Sequence, residues 1–295
     1  MPELPEVETT VRELKQHILG RKIKDVWSDF PKIVKQPKSF GEFKEKIIGR
    51  KIEKIWRRAK NIIIDLSGNN SMLIHQKLTG HLLVGKWQNM KGVWRSAAKG
   101  PLEDSVNRFL HLIFWLDDGT MLALSDLRKF AKVELWDSKR LQKSEWINSL
   151  GPEPLEKSFS FQVFEEVIKK KKGKIKQILM DQAVISGIGN IYSDEILWQA
   201  KVHPLRLNLS LRNKELESIY RAMKEILEQA IKLKGDSMSD YRLISGEKGG
   251  YQNIQKVYQQ EGNDCQRKDG GIIKRIKIGG RSSRFCPKCQ LLTNF

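Results

Sequence analysis

The chain opens with apolar residues at helical spacing, and a glycine follows the last of them. They are Val7, Val11, Leu14 and Ile18, followed by Gly20. Steps of three and four residues place side chains on one face of a helix, and glycine commonly ends one. Pro5 fits the first turn, where the N–H that proline lacks has no helical acceptor. The pattern predicts an amphipathic helix at the start of the chain.

The period then shortens, and brief runs rich in β-branched residues alternate with turn residues. The runs cover 23–27, 51–56, 62–66, 72–74, 109–116, 121–124 and 132–136. Asp117-Asp118-Gly119 separates two of them and is a hairpin signal. Several short strands joined by turns indicate an antiparallel sandwich or barrel. The polar span 86–108, with Gly92 and Gly100-Pro101, is predicted to be a long loop between strands.

A second change of pattern follows Gly151-Pro152-Glu153-Pro154, a breaker cluster that marks the linker between domains. Beyond it, apolar residues return to helical spacing within 161–168, 175–179, 191–198 and 216–227. The fold class is therefore α+β, with an N-terminal antiparallel β-sandwich led by a helix and a helical C-terminal half. We predict domains at 1–150, 151–250 and 251–295.

Charge indicates the kind of partner. The 295 residues include 54 Lys and Arg against 35 Asp and Glu, a formal net charge of +19. A protein this basic usually meets a polyanion. Nucleic acid is favoured over membrane, because no run approaches the ~20 apolar residues of a membrane span. Carboxylates stand where a signal peptide needs basic and apolar residues, so we expect a cytoplasmic protein.

The first residues could carry chemistry. An initiator Met before Pro is usually trimmed, which would leave Pro2 with a free secondary amine beside Glu3 and Glu6. An α-amine titrates near ~8, against ~10.4 for lysine, and the positive end of a helix lowers that value further. A partly neutral amine beside an acid can form a Schiff base with an aldehyde-like carbon. An ordinary helix start with favourable acidic residues is the alternative, and the residues alone favour it.

The cysteines point to a metal. Cys286-Pro287-Lys288-Cys289 has zinc-ligand spacing, and the third cysteine is Cys265. An odd number of cysteines, crowded at one end, suggests metal binding in a reducing compartment and not a disulfide framework. The alternative is a zinc-free β-hairpin held by packing alone.

The string MPELPEVETT at residues 1–10 resembles the start of the bacterial formamidopyrimidine-DNA glycosylases, enzymes that remove oxidised purines from DNA. The resemblance continues as far as Gln290. It implies that Pro2 is the nucleophile, that Glu3 is the acid and that Glu6 shapes the site. It also makes catalysis the favoured interpretation of the N-terminus.

Three internal motifs extend the resemblance. Arg57-Arg58-Ala59-Lys60 places Lys60 where the family has an active-site lysine that contacts phosphate or assists elimination. His75-Gln76-Lys77-Leu78-Thr79-Gly80 places Leu78 where a methionine enters the gap left by an extruded base. Asp126-Leu127-Arg128-Lys129-Phe130 supplies an arginine for the orphaned base and a phenylalanine wedge, namely Arg128 and Phe130. Without the family, Leu78 could equally be a core residue and Lys60 part of a basic turn.

The second half resembles the helix–two-turn–helix of the same family. The basic run 169–172 includes Lys171, and Gly187-Ile188-Gly189-Asn190 opens a later helix. Backbone N–H groups at the two glycines, with the Asn190 side chain, could bind a phosphate at the helix start. Lys171 and Asn190 are therefore predicted DNA contacts. Near the end, Ile278-Gly279-Gly280-Arg281 fits a tight hairpin that presents Arg281 to the phosphate beside the lesion.

The family has two Cys-x-x-Cys pairs, but the first pair is incomplete here. Lys268 stands at the position of its second cysteine, whereas alignment on the downstream glycines puts Asp269 there. Because carboxylate is an acceptable zinc ligand, we predict one structural zinc ion. Its expected ligands are Cys265, Asp269, Cys286 and Cys289.

The resemblance implies a monomeric, bifunctional DNA glycosylase and abasic-site lyase acting on oxidised purines in duplex DNA. The two domains are expected to form a basic cleft, with 241–258 as the loop over the extruded base. One alternative is an endonuclease VIII-like enzyme for oxidised pyrimidines, although the string 4–9 favours the purine branch. The other is a catalytically silent, structure-specific DNA-binding protein. The presence of Pro2, Glu3, Lys60 and Arg281 argues against it.

Overall fold

The computed structural model describes residues 1–292 and divides the chain into two compact units. The N-terminal unit contains Met1–Asn148 together with Leu233–Gln252, and the C-terminal unit contains Ser149–Lys232 and the chain from Asn253 onward. Residues 233–252 therefore return to the first unit. These two units are defined by the packing of the chain and do not test the predicted division into three domains, which stays a prediction.

The predicted first helix is confirmed as α1 (Leu4–Ile18), with Pro5 in its first turn. A second helix, α2 (Phe40–Ile47), begins at Ser39, whose side chain accepts a hydrogen bond from the Glu42 N–H. Both helices turn apolar side chains inward. Val7 and Val11 of α1 and Phe43 of α2 are buried in the main core of the unit.

Two sheets form the body of the N-terminal unit. Their strands are β1 (Ile23–Trp27), β2 (Val34–Gln36), β3 (Ile52–Arg58), β4 (Asn61–Leu66), β5 (Asn70–His75), β6 (His81–Gly85), β9 (Leu110–Leu116), β10 (Met121–Ser125) and β11 (Lys132–Asp137). One sheet has the order β1-β9-β10-β6 and the other β2-β11-β5-β4-β3. Every pair is antiparallel except β2 with β11, which is parallel.

One apolar core joins the two sheets. Ile64 and Ile74 enter it from the five-stranded sheet, and Leu112 and Phe114 enter it from the four-stranded sheet. Alternating side chains on facing sheets are the usual way to build such a core. The predicted β-sandwich is therefore confirmed. Two short helices, α3 (Ser138–Gln142) and α4 (Glu145–Asn148), follow the last strand.

The prediction of a long loop at 86–108 is wrong. The span contains the hairpin β7 (Trp87–Met90) and β8 (Val93–Ser96), followed by short 3-10 turns at Pro101–Glu103 and Ser105–Arg108. Trp94 lies edge-on against Trp27 and Trp115, with ring centroids 5.2 and 5.8 Å apart. An aromatic anchor of this kind holds a mostly polar hairpin against the sheet.

The C-terminal unit is mainly helical, as predicted. Its helices are α5 (Phe161–Lys169), α6 (Ile175–Met180), α7 (Asn190–Gln199) and α8 (Asn213–Lys232). The hairpin β12 (Lys274–Ile278) and β13 (Arg281–Phe285) follows near the end of the chain. No helix in residues 1–292 has the length and apolar character needed to cross a bilayer.

Candidate functional site

The start of α1 holds two buried carboxylates in fixed positions. Pro2, Glu3 and Glu6 are all buried, and Met1 is partly exposed. The Glu3 N–H donates to Glu6 Oε2 at 2.7 Å. Glu6 Oε1 accepts a second hydrogen bond, from the Asp236 N–H at 2.8 Å. The Glu6 carboxylate therefore connects the N-terminus to the segment 233–252, which is far away in sequence.

That segment packs closely on α1. The Tyr241 hydroxyl donates to the Glu6 carbonyl oxygen at 3.1 Å, and burial raises the pKa of Tyr241 well above its usual value. Gly235 has φ +79°, and a Cβ there would lie 2.8 Å from Glu6 Oε1. Only glycine fits so close to the carboxylate. Periodicity does not predict this packing, because it joins distant parts of the chain, and Gly235 is the local signal that could have indicated it.

Basic residues surround the turn between β3 and β4. Lys60 is 7% exposed, and Arg57 donates to Glu8 Oε2 of α1 at 2.9 Å. Burial lowers the pKa of His75 to about 3, and the charges of Lys77, Lys132 and Lys60 lower it further. His75 is therefore a neutral imidazole at physiological pH. Lys60 belongs to a positively charged cluster at this edge of the sheet.

Two loops of the N-terminal unit carry the three residues predicted to fill the gap left by an extruded base. They are Leu78, Arg128 and Phe130, and they are called the wedge residues below. Leu78 is partly buried, whereas Arg128 and Phe130 are exposed. The Arg128 guanidinium stacks over the Phe130 ring at 4.6 Å from its centroid. An exposed aromatic ring next to a cation is suited to stacking on a base.

In the C-terminal unit, a surface cavity of about 430 Å³ is lined by basic residues, among them Lys171, Lys172 and Arg281. Lys171 forms an ion pair with Asp181. Lys176 also lines the cavity, but it is buried and donates to Asp194 Oδ1 at 2.5 Å. Lys176, which follows the basic run in α6, is therefore a structural cation.

The helix start predicted at Asn190 is confirmed, because α7 begins there after Gly189. Asn190 Oδ1 is buried and has no hydrogen-bond partner within the part of the chain that the structure describes. The Gly187 N–H donates to Gln182 Oε1 at 2.8 Å. Gln182 therefore accepts the hydrogen bond of this N–H in the conformation described, and phosphate binding at the two glycines stays a prediction.

Arg281 lies directly after a tight turn. Gly279 and Gly280 have φ +55° and +76° and connect β12 to β13. A Cβ on Gly279 would lie 2.3 Å from Gln177 Nε2 of α6, so the hairpin tip contacts the helix that follows the basic run. The predicted hairpin is confirmed, and Arg281, the first residue of β13, is exposed.

The four predicted metal ligands converge. One ligand atom from each of Cys265, Asp269, Cys286 and Cys289 lies within 4.8 Å of all the others. The Cys265 and Cys289 Sγ atoms are 4.0 Å apart, close to the ~3.8 Å that tetrahedral zinc with ~2.3 Å bonds requires. A hydrogen bond from the Gly271 N–H lowers the pKa of Asp269, while burial raises the pKa of Cys289 to about 12. Three thiols and an ionised carboxylate could hold a zinc ion.

Donors from outside the cluster hold two of its sulfurs. Trp198 Nε1 donates to Cys265 Sγ at 3.4 Å, and Arg267 donates to Cys289 Sγ at 3.2 Å. The Arg267 guanidinium also lies 3.8 Å from the centroid of the Trp198 ring. Such contacts orient metal ligands and reduce the negative charge on them.

The predicted residues therefore fall into two groups. Pro2, Glu3, Glu6, Lys60 and the three wedge residues lie in the N-terminal unit. Lys171, Asn190, Arg281 and the four metal ligands lie in the C-terminal unit.

Three family models match successive parts of the chain. The formamidopyrimidine-DNA glycosylase N-terminal domain matches residues 1–133, and the H2TH domain of the same glycosylase matches 150–242. A zinc finger found in FPG and IleRS matches 270–291. The last match includes Cys286 and Cys289 but begins after Asp269, so the altered first half of the cluster lies outside it.

Whole-chain relatives agree. The formamidopyrimidine-DNA glycosylase of Desulforamulus reducens is 36% identical over 98% of this chain and 99% of its own length. A Lactococcus lactis Fpg structure, in complex with DNA containing an abasic site, is 32% identical with a TM-score of 0.85 and covers 98% of this chain and 100% of its own. A wild-type Lactococcus lactis Fpg in complex with N7-benzyl-Fapy-dG DNA is 33% identical, with TM-score 0.85 and coverages of 99% and 100%. Family models and full-length relatives lead to one conclusion: this chain is a member of the formamidopyrimidine-DNA glycosylase family.

Proposed function

We propose that this chain is a bifunctional DNA glycosylase and abasic-site lyase that removes oxidised purines from duplex DNA. The observation that carries the proposal is the start of α1. There Pro2 and Glu3 directly precede the helix, and Glu6 fixes the Glu3 backbone by a 2.7 Å hydrogen bond. A member of this family with this N-terminus has the nucleophile, the acid and the support that the chemistry needs. We further propose that it acts as a monomer in the bacterial cytoplasm.

DNA is the proposed partner. The net charge of +19 and the basic cavity of the C-terminal unit support this, and the Lactococcus lactis relatives have structures in complex with lesion-containing DNA. The lesion base must leave the stack before the sugar can be attacked, at a cost of a few kcal/mol. Leu78, Arg128 and Phe130 would fill the gap and offset that cost.

Removal of Met1 would free the Pro2 nitrogen as a nucleophile. Its lone pair attacks C1′ of the damaged nucleotide while the bond from C1′ to the base breaks. The base leaves with that electron pair and takes up the proton that the Pro2 nitrogen loses, and Glu3 protonates the ring oxygen O4′ so that the C1′–O4′ bond can break. Ring opening then gives an iminium ion between Pro2 and C1′, the Schiff base of this mechanism. Glu6 acts by holding the Glu3 backbone.

The iminium ion acidifies the neighbouring carbon and permits elimination of the 3′ phosphate and then the 5′ phosphate. We assign Lys60 and Arg281 to these phosphates as cations. Lysine acts as a point charge, whereas arginine can donate two parallel hydrogen bonds to phosphate. Segment 241–258 is proposed to border the extruded base, and the contact of Tyr241 with Glu6 supports this for its first residue.

Borohydride trapping tests the enzyme directly. The protein is incubated with an 8-oxoguanine duplex and reductant, and we expect a covalent adduct together with β,δ-elimination products. Pro2→Gly should lower adduct yield at least about 100-fold, because the positioned secondary amine is lost. Lys15→Ala, an exposed site on the same helix, is the matched control.

A duplex with an oxidised pyrimidine distinguishes the proposed purine-specific enzyme from the endonuclease VIII-like alternative. Absence of any adduct, or a full yield from Pro2→Gly, would contradict the proposal.

The salt dependence of DNA affinity tests phosphate binding by the basic residues, among them those of the cavity in the C-terminal unit. If about six phosphates are neutralised, affinity should fall by several orders of magnitude between roughly 50 and 200 mM salt. Lys171→Ala should reduce the slope of log affinity against log salt by about one unit. A flat response in the wild type would contradict a phosphate-binding interface.

We also propose that Cys265, Asp269, Cys286 and Cys289 are the four ligands of one structural zinc ion. Metal analysis of purified protein should find about one equivalent. Asp269→Ala should lose zinc to a competing chelator at least about 10-fold more readily, and Asp269→Cys should retain it at least as well as the wild type. Less than half an equivalent in the wild type, unchanged in Asp269→Ala, would contradict this ligand set.

A further inference from the structure

The loop that carries Leu78 and the loop that carries Arg128 and Phe130 are far apart in sequence but share one buried carboxylate. Asp126 precedes the second loop, and its side chain is fully buried. Asp126 Oδ1 accepts a short hydrogen bond from the Thr79 hydroxyl, which belongs to the first loop. Thr79 directly follows Leu78. The carboxylate therefore binds the first loop next to its wedge residue.

Asp126 also organises the second loop. Its Oδ1 accepts from the Arg128 N–H at 3.3 Å, and its Oδ2 accepts from the Ala131 N–H at 2.7 Å. Its carbonyl oxygen accepts from the Lys129 N–H at 3.1 Å. Three backbone groups around Phe130 are thus bound to one residue. A buried carboxylate is costly unless such donors satisfy it, and here the donors of its side chain come from the two loops.

The loops also contact each other directly. The Arg128 N–H lies 3.1 Å from Thr79 Oγ1, which accepts its hydrogen bond. A Cβ on Gly80 would lie 3.1 Å from the Ala131 Cβ and 2.4 Å from the Gln76 carbonyl oxygen, so this contact has no room for a side chain. Ser125 at the end of β10 pairs with His81 at the start of β6, so the two loops leave adjacent positions of the sheet. The hydrogen bonds of Asp126 and Thr79 continue this association beyond the last strand pair.

Each loop contains a lysine in the left-handed region, Lys77 with φ +56° and Lys129 with φ +55°. Residues other than glycine adopt this conformation only where the surroundings hold them there. Each strained lysine is a sequence neighbour of a wedge residue, Leu78 or Phe130. The Asp126 carbonyl oxygen restrains Lys129 directly. On the other loop, the Lys77 N–H donates to His75 Nδ1 at 2.9 Å, and Asp126 binds two residues further on, at Thr79.

We propose that Asp126 is a positioning residue that fixes the Leu78 loop and the Arg128–Phe130 loop as one rigid unit. The inference rests on the proposed function, in which these side chains fill the gap left by an extruded base. A rigid unit enters the stack without ordering two separate loops first, so Asp126 assists extrusion and leaves the chemistry at the sugar unchanged. Substitutions that break the Asp126 hydrogen bonds should therefore slow the reaction only on substrates in which a base has to be extruded.

The test compares two substrates under single-turnover conditions, a duplex with 8-oxoguanine and a duplex with a preformed abasic site. Thr79→Val removes the hydroxyl but keeps the size of the side chain, and Thr79→Ser keeps the hydroxyl. We expect Thr79→Val to slow base excision about 10-fold and to slow strand cleavage at the abasic site less than about twofold. Thr79→Ser should behave as the wild type on both. Asp126→Asn should also slow base excision more than strand cleavage at the abasic site, and by a larger factor than Thr79→Val.

Asp65→Asn is the matched control. Asp65 is another carboxylate of this unit that accepts from two side chains, Trp56 Nε1 at 2.9 Å and Ser71 Oγ at 2.5 Å, and both donors lie on strands of the five-stranded sheet, β3 and β5. It should leave the ratio of the two rates unchanged. Equal losses on both substrates, or no loss in Thr79→Val, would overturn the positioning role. Wild-type protein that processes neither duplex would instead contradict the proposed function.

Discussion

In the N-terminal unit, the loops with Leu78 and Phe130 extend from two sheets that share a large apolar core. The C-terminal hairpin with Arg281 belongs to a segment with much less apolar support. Its cluster contains Trp198, Val257, Cys265, Ile273 and Cys286, and two of these are predicted metal ligands. A small core seldom supplies enough stability without a further constraint. The comparison indicates that a large apolar core supports the first region, with Asp126 binding the loops that this core carries. In the second region the apolar support is small, and the proposed metal ligation and buried polar bonds take its place.

Two neighbouring carboxylates of α7 provide those polar bonds. Asp194 accepts from Lys176 Nζ, Ser283 Oγ at 2.7 Å and the Arg284 N–H at 3.0 Å. Glu195 accepts from three successive backbone N–H groups of residues 256–258 at 2.9 to 3.0 Å. Helix α7 therefore binds both the hairpin and the segment 256–258 that precedes it in the chain.

Metal removal should have the largest effect and should be confined to the second region. Structural zinc contributes about 10–16 kcal/mol in small domains, which is comparable to the whole stability of a domain. After treatment with a tight chelator, hydrogen exchange should show lost protection in 253–290, with the strands of the N-terminal unit unchanged. DNA affinity should fall roughly 100-fold, because Arg281 loses its fixed position. Uniform loss of protection would contradict the comparison.

Breaking the buried Asp194–Lys176 pair should have the next largest effect. Burial raises the pKa of Asp194, and Lys176 partly offsets this. Asp194→Asn leaves the lysine buried without its partner, so the free energy of unfolding should fall by about 3–5 kcal/mol in urea titrations.

The double variant Asp194→Asn/Lys176→Met should recover much of that loss, because it removes both charges of the pair and keeps a side-chain oxygen to accept from Ser283 Oγ and the Arg284 N–H. Glu165→Gln, which removes the partner of Lys169 in an exposed pair, should change stability by less than about 0.5 kcal/mol. Equal effects of Asp194→Asn and Glu165→Gln on the free energy of unfolding would show that the buried Asp194–Lys176 pair contributes little to stability.

Acid should destabilise the protein through histidines of both units. Burial lowers the pKa of His75 to about 3 and of His203 to about 4. An unfolded histidine binds its proton near pH ~6.5, so the stability is present above that value and is lost as pH falls toward the folded pKa. Between pH 7 and 5, His75 should account for about 2 kcal/mol of lost stability. Urea titrations without DNA should show a shallower pH slope for His75→Gln, and an unchanged slope would contradict this assignment.

Glycine substitutions at two matched turns should have the smallest effects on stability. Gly119 in the hairpin of β9 and β10 has φ +79°, Gly280 has φ +76°, and a Cβ at either would meet no atom within 4 Å. Alanine should therefore cost about 1 kcal/mol at each site from backbone strain alone. Only Gly280→Ala should also weaken DNA binding in a titration, since Arg281 follows it. Equal loss of binding in both variants would contradict the role of the hairpin.

Much of the fold followed from the periodicity of the sequence. Helix α1 and strands such as β1 and β9 were predicted because their apolar residues repeat at the spacing of one buried face. The hairpin at 87–96 was missed, because it is anchored by aromatic residues such as Trp94, which contacts Trp27 and Trp115 and belongs to no repeated pattern. Helix α2 was missed as well, since it is short and places only Phe43 and Ile47 inside.

The site was less predictable from the residues alone. Pro2 with two nearby glutamates remained compatible with an ordinary helix start, and the family resemblance supplied its role. The packing of Gly235 and Tyr241 on Glu6 joins positions more than 200 apart in sequence, and no local pattern reports such contacts. In the sequence, Asp126 is the first residue of a family-like motif and Lys176 follows the basic run 169–172. Neither pattern shows that these charges are buried, because burial of a charge depends on distant partners.

The most direct test of the account is to identify the amino acid that carries the DNA after borohydride trapping. The adduct formed with an 8-oxoguanine duplex is digested, and the modified peptide is sequenced by mass spectrometry. The account predicts a peptide that begins at Pro2, lacks Met1 and bears the reduced sugar on the proline nitrogen. An adduct on Lys60 or another lysine, or an active population that retains Met1, would contradict it.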